Sequence, residues 1–105
     1  MNIDGHLSAD LLSRLLAPLT SQLKRDQDGS FGLIVDILAM TGYDQEARAH
    51  YIGWQNTYRY RVKRVAVVTD KALWRMVIAA VGLAAGGEMR SFDTETKAMK
   101  WVEDQ

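Results

Sequence analysis

Apolar and polar positions alternate between two periods along this chain. Val65 to Val68 is a continuous apolar, largely β-branched run, the pattern of a strand covered on both faces. Thr69-Asp70 follows with side-chain oxygens suited to capping, so Asp70 is expected to open a helix that runs to about Ala84. Trp74, Val77, Ile78, Val81 and Leu83 are its expected buried surface, and Gly86-Gly87 its stop. The same grammar recurs upstream. Asn2-Ile3-Asp4 reads as the end of a short strand, with Gly5 turning the chain. Ser8 caps a helix in which Leu11, Leu12, Leu15, Leu16, Leu19 and Leu23 recur at helical spacing, and Lys24-Arg25 close it with favourable charge. Pro18 should bend or divide that helix.

A polar loop at Asp26–Ser30 leads to an expected strand at Phe31–Leu38 and a turn at Thr41–Asp44. Asp44 with Gln45-Glu46 opens the next helix, where Ala47, Tyr51, Trp54 and Tyr58 share one face. The remaining expected strands are Arg64–Thr69 and Glu88–Phe92. Asp93-Thr94 caps a last helix with Ala98, Trp101 and Val102 inward. The order β-α-β-α-β-α-β-α predicts an α/β fold: a mainly parallel, four- to five-stranded sheet flanked by about four helices, in one domain over residues 1–105.

Composition narrows the chemistry. Thirteen basic and thirteen acidic residues cancel, which argues against sequence-independent nucleic-acid binding and leaves little self-repulsion. The cluster Arg59, Arg61, Lys63, Arg64, interleaved with Tyr58 and Tyr60, has the residues to hold nucleic acid, but it also fits a helix end and strand entrance. With no cysteine, thiolate zinc sites, disulfides and thiol catalysis are excluded, in keeping with a cytoplasmic protein. The most apolar stretch, Val77–Ala85, is nine residues, against about 20 for a membrane span. No signal peptide is expected.

Catalytic and metal motifs do not emerge. His6 and His50 lack a second ligand at metal-binding spacing, and no G-x-S-x-G elbow occurs. Gly82 and Gly86-Gly87 lie in and after a helix, the wrong side for a phosphate loop. Asp44, Asp70 and Asp93 each follow a strand and could meet at one sheet edge, where open α/β sheets bind ligands; three helix caps explain them equally. Tyr51, Trp54, Tyr58 and Trp74 supply large apolar area, either to the core or to a contact or ligand surface.

Three patches resemble the SpoIIAA-like family. Asp4-Gly5-His6-Leu7-Ser8 before a Leu-rich helix with Pro18 is similar to its G-K-L-T opening. Arg64–Asp70 with Trp74 resembles its R-V-A-V-V-x-D strand and helix aromatic, and Glu88–Asp93 with Ala98 and Trp101 resembles its ending. The resemblance implies a STAS-like α/β domain akin to anti-sigma-factor antagonists, also compared with lipid-binding CRAL-TRIO folds. Switchable members carry a phosphorylated serine in the turn after the second strand; Thr41 stands in that region here. Together these readings give a non-enzymatic regulatory or interaction module without cofactor, partnered by another protein or, as a homodimer, by itself. The alternative is a carrier or sensor of a small apolar or lipid-like ligand between the sheet and the second and third helices. An enzyme using the strand-end carboxylates is a third.

Overall fold

The computed structural model describes residues 1–26 and 28–104. Its elements are β1 (Gly5–Leu7), α1 (Ala9–Arg25), β2 (Phe31–Asp36), β3 (Met40–Tyr43), α2 (Gln45–Thr57), β4 (Val62–Val68), α3 (Ala72–Ala85), β5 (Glu88–Phe92) and α4 (Glu95–Glu103). All pairings are parallel, in one sheet ordered β2-β4-β5 and a smaller one of β1 with β3. The two meet where Asn2 bridges Asp36 and the Ile3 N–H donates to the Asp36 carbonyl. This is the α/β, parallel, four-helix architecture that the pattern predicts.

β4 organises the core because both its faces are covered. Val65 and Val67 face a large apolar layer with α1, α2 and α3; Ala66 and Val68 face a smaller one closed by Ala98, with Trp101 and Val102 beside it. Period-two alternation thus divides one strand between two cores. On the smaller side α4 comes so close to β2 that a Cβ at Gly32 would lie 2.0 Å from Val102 Cγ1.

Several sequence expectations need correction. The turn lies at Leu38–Ala39, not Thr41–Asp44, so β2 ends at Asp36 and β3 is an added strand. The Asp36 carboxylate accepts the Leu38 N–H at 2.9 Å, and Met40 N–H closes on Ile37 O at 3.1 Å. An aspartate before the turn thus does what Gly or Pro would have advertised. Gly5 is not a turn but the first residue of β1, where its φ of 71° accommodates a register shift. Pro18 lies on the exposed side of α1, which stays one helix.

The caps are as expected at Ser8 and Thr94, whose side chains accept from Leu11 N and Lys97 N. At Asp44 the position is as expected but the side-chain bond is not, and Asp70 is not the cap. Asp44 occupies the N-cap position of α2 without a side-chain cap bond, and α3 starts after Lys71. Buried Thr69 accepts from Lys71 N in the turn ahead of the helix, and no side chain caps α3. Leu83, expected inside, is 87% exposed. The expected loop 26–30 includes Gln27, which lies outside the described residues.

Candidate interaction surface

α3 reads Ala-Leu-Trp-Arg-Met-Val-Ile-Ala-Ala-Val-Gly-Leu-Ala-Ala, with Arg75 its one polar side chain. Gly86 ends it in the left-handed conformation (φ 77°), its N–H returning to the Gly82 carbonyl. Trp74, Val77, Ile78 and Val81 turn inward. Leu73, Met76 and Leu83 do not: they are 64%, 72% and 87% exposed, with Ala72, Ala79, Ala80 and Ala84 among them. A helix apolar all round is ordinarily covered on all sides. Here the sheet covers one side, and the outer stripe forms the kind of patch that marks interaction sites. The sequence held that signal in its single charged residue, but the inward and outward stripes could not be told apart without the packing.

Beside α3 lies β5, outermost in β2-β4-β5. A groove of about 610 Å³ runs along it, walled by Ala79, Gly82 and Leu83 of α3 and, opposite, by Arg64 and Trp101. The guanidinium of Arg64 lies 5.0 Å over the Trp101 ring, and that of Arg90 lies 5.5 Å over the same ring. Arg64 also bonds the Trp101 and Asp104 carbonyls and the Glu88 carboxylate, the last at 3.2 Å.

The expected aromatic anchors are split. Tyr51 is buried, and Trp54 and Tyr58 are partly buried; their rings follow one another along α2 at 6.2 and 5.5 Å. Trp54 Nε1–H donates to Thr20 Oγ1 at 2.9 Å, so this row braces α2 against α1. Trp74 stands apart, 5.8 Å from Tyr43. Burial pushes the Tyr51 phenol well above its ordinary pKa, and its hydroxyl has no hydrogen-bond partner among the described residues.

The three aspartates divide between the two sheets. Asp70 and Asp93 follow neighbouring strands, whereas Asp44 follows β3 of the other sheet and meets His6 Nε2 at 2.7 Å. Asp93 is engaged by Lys97 at 3.0 Å; that hydrogen bond, then the charge of Lys97, holds its carboxyl below the usual range. Among the described residues no group of three or more His, Cys, Asp or Glu is placed to hold a metal ion. Thr41 lies exposed within β3 rather than in a turn at a helix start.

The basic cluster is partly spent on structure. Arg61 donates to the carbonyls of Leu23, Asp26, Asp28 and Gly29, and Arg64 is occupied as described. An apolar cavity of about 80 Å³ sits between the sheet and α2 and α3, lined by Val35, Tyr51, Val67, Val77, Val81 and Met89 among others, with Arg48 its one charged side-chain neighbour. No helix among the described residues is long and apolar enough to cross a membrane.

A family model described as SpoIIAA-like matches residues 1–103. Among solved structures, an uncharacterized protein of the DUF3478 family with a SpoIIAA-like fold, from Shewanella loihica PV-4, is similar with a TM-score of 0.79. The two share 19% identity over 96% of this chain and 80% of that one, a likeness of fold. No curated protein matches the sequence. With the strand–cap–helix grammar, the parallel topology and the family match over nearly its whole length, the chain belongs to the SpoIIAA-like family.

Proposed function

We propose that this chain is a non-enzymatic, cytoplasmic, STAS-like interaction module that works through contacts with protein. The observation that carries the reading is the outer stripe of α3, where Leu73, Met76 and Leu83 stand in solvent. Family membership supports it. Tyr51, Trp54 and Tyr58 serve this surface from behind by holding α2 against α1, while Trp74 seats α3. The test is photo-crosslinking in cells from a probe residue at Met76, with exposed Lys24 on α1 as control position. A protein adduct specific to position 76 is expected. Absence of adduct there, or equal adducts at both positions, refutes the reading.

The cavity between the sheet and α2 and α3 favours a second reading, a carrier or sensor of a small apolar ligand. Its walls are apolar, and the unpartnered Tyr51 hydroxyl offers one donor to a polar end. At about 80 Å³ it is well below the 150 Å³ cavity that accepts benzene, so a short aliphatic chain is the size it suits. Native mass spectrometry of protein purified gently from cells tests this. A reproducible added mass supports it, and a clean mass of the chain alone refutes it.

A further inference from the structure

We infer that a second copy of this chain docks along β5, the two copies pairing their β5 strands antiparallel about a two-fold axis and bringing the α3 flanks that carry Leu83 against each other. The inference rests on the interaction-module reading and names its partner.

It starts from the edge. Among the described residues β5 pairs with β4 alone, in unbroken register from Arg64↔Glu88 to Val68↔Phe92. Its other side therefore presents a row of backbone donors and acceptors. Proteins usually blunt such an edge with shortness, charged side chains, proline, a bulge or a covering element. β5 contains no proline, its register has no shift, and the groove along it is open between α3 and Trp101. That opening has the shape an added strand requires.

Charge then selects the occupant and its register. Antiparallel self-pairing about Met89 sets Glu88 opposite the partner's Arg90, and Arg90 opposite the partner's Glu88. Arg90 makes no ion pair among the described residues, whereas Glu88 has only the ion pair with Arg64, leaving carboxylate capacity free. Moving the axis to residue 90 would oppose two arginines, which is unfavourable. The pairing is thus self-complementary, as a two-fold interface must be. Zero net charge adds no long-range repulsion between copies.

The same contact covers one flank of α3. Ala79, Gly82 and Leu83 wall the β5 groove, whereas Leu73 and Ala80 lie on the opposite side of the helix. Leu83, 87% exposed, is the α3 side chain that strand pairing brings against the partner. A five-residue strand with one helix flank is small for a stable dimer, and dissociation in the micromolar range follows.

Sedimentation equilibrium of the full chain, from about 1 to 300 μM, reads this directly. The parent is expected to rise from 11.8 kDa toward twice that mass. Leu83→Glu should weaken association about tenfold or more while leaving the unfolding of the monomer unchanged, since the side chain is 87% exposed. Arg90→Glu should weaken it similarly, and Glu88→Arg with Arg90→Glu should restore it to within about threefold of the parent. A parent that stays monomeric overturns the inference, as does a dimer insensitive to both single changes or unrescued by the swap. Crosslinking from position 76 separates the two levels: an adduct to a different protein from a monomeric chain overturns the dimer and keeps the module, whereas no adduct removes both.

Discussion

Substituting Gly32 with alanine tests how closely the smaller core is built. Gly32 lies in β2 beneath α4, and the added Cβ would sit 2.0 Å from Val102 Cγ1, far inside contact distance. Either Val102 changes rotamer or the last turn of α4 lifts from the sheet. Overpacking of this kind costs about 1–3 kcal/mol. Alanine also restricts the unfolded chain, which returns about 0.5–1 kcal/mol. The net expectation is a loss of about 1–2 kcal/mol, seen as a fall in Tm of about 4–15 °C for a domain of this size. Urea and thermal unfolding of parent, Gly32→Ala, Val102→Ala and the double variant give the cycle. In the Val102→Ala background the alanine at 32 should cost close to nothing, a coupling of about 1–2 kcal/mol. A Gly32→Ala protein within about 0.5 kcal/mol of the parent, or a penalty that survives removal of the valine methyls, would refute the reasoning.

Arg61→Ala should lower stability by about 2 kcal/mol, because its guanidinium gathers carbonyls from the end of α1 and the following loop; Arg61→Lys should recover less than half, as an ammonium lacks the fork, and urea unfolding measures both. Tyr51→Phe should leave stability unchanged or slightly raised, since the lost hydroxyl has no partner and burial already disfavours its ionisation; a clear loss would show that the hydroxyl is bonded. Asp93 has a folded pKa below its unfolded one, so its contribution is present above the ordinary aspartate range and lost as pH falls through the folded value. NMR titration should place its midpoint below that in Lys97→Met.

The elements legible in the sequence were those whose own residues pay their structural debts. β4 declared itself because burial on both faces demands an unbroken apolar run, and Ser8 and Thr94 because a capping oxygen is a local need. β3 was hidden because its turn is made by the Asp36 side chain among apolar neighbours, with no glycine or proline to mark it. The side-chain cap bonds expected of Asp44 and Asp70 did not form: His6, 38 residues away, takes the first carboxylate, and α3 starts one residue too late for the second, after Lys71. The contact surface was least legible. Tyr51, Trp54 and Tyr58 were visible as large rings, but only the position of α1 decides that they are core. Leu83 read as core because an apolar helix does not say which side the sheet will take.

The strand connectivity also governs how the chain folds. β1 with β3, β2 with β4 and β4 with β5 are all joined across an intervening helix, and none of these pairs is a hairpin. No sheet contact is therefore available to a short stretch of chain. The first β2–β4 pairing closes a loop of some thirty residues, Phe31 meeting Val62, before any ladder bond repays the lost entropy. Topologies of this kind collapse slowly relative to helical bundles of similar size. While β4 waits for its neighbours, Val65–Val68 is an uncharged, β-branched segment with both edges open, the type that seeds aggregation. Arg64 at one end and Asp70 shortly after the other flank it with opposite charges, so the same run that makes the native sheet is bracketed by gatekeepers against its misuse.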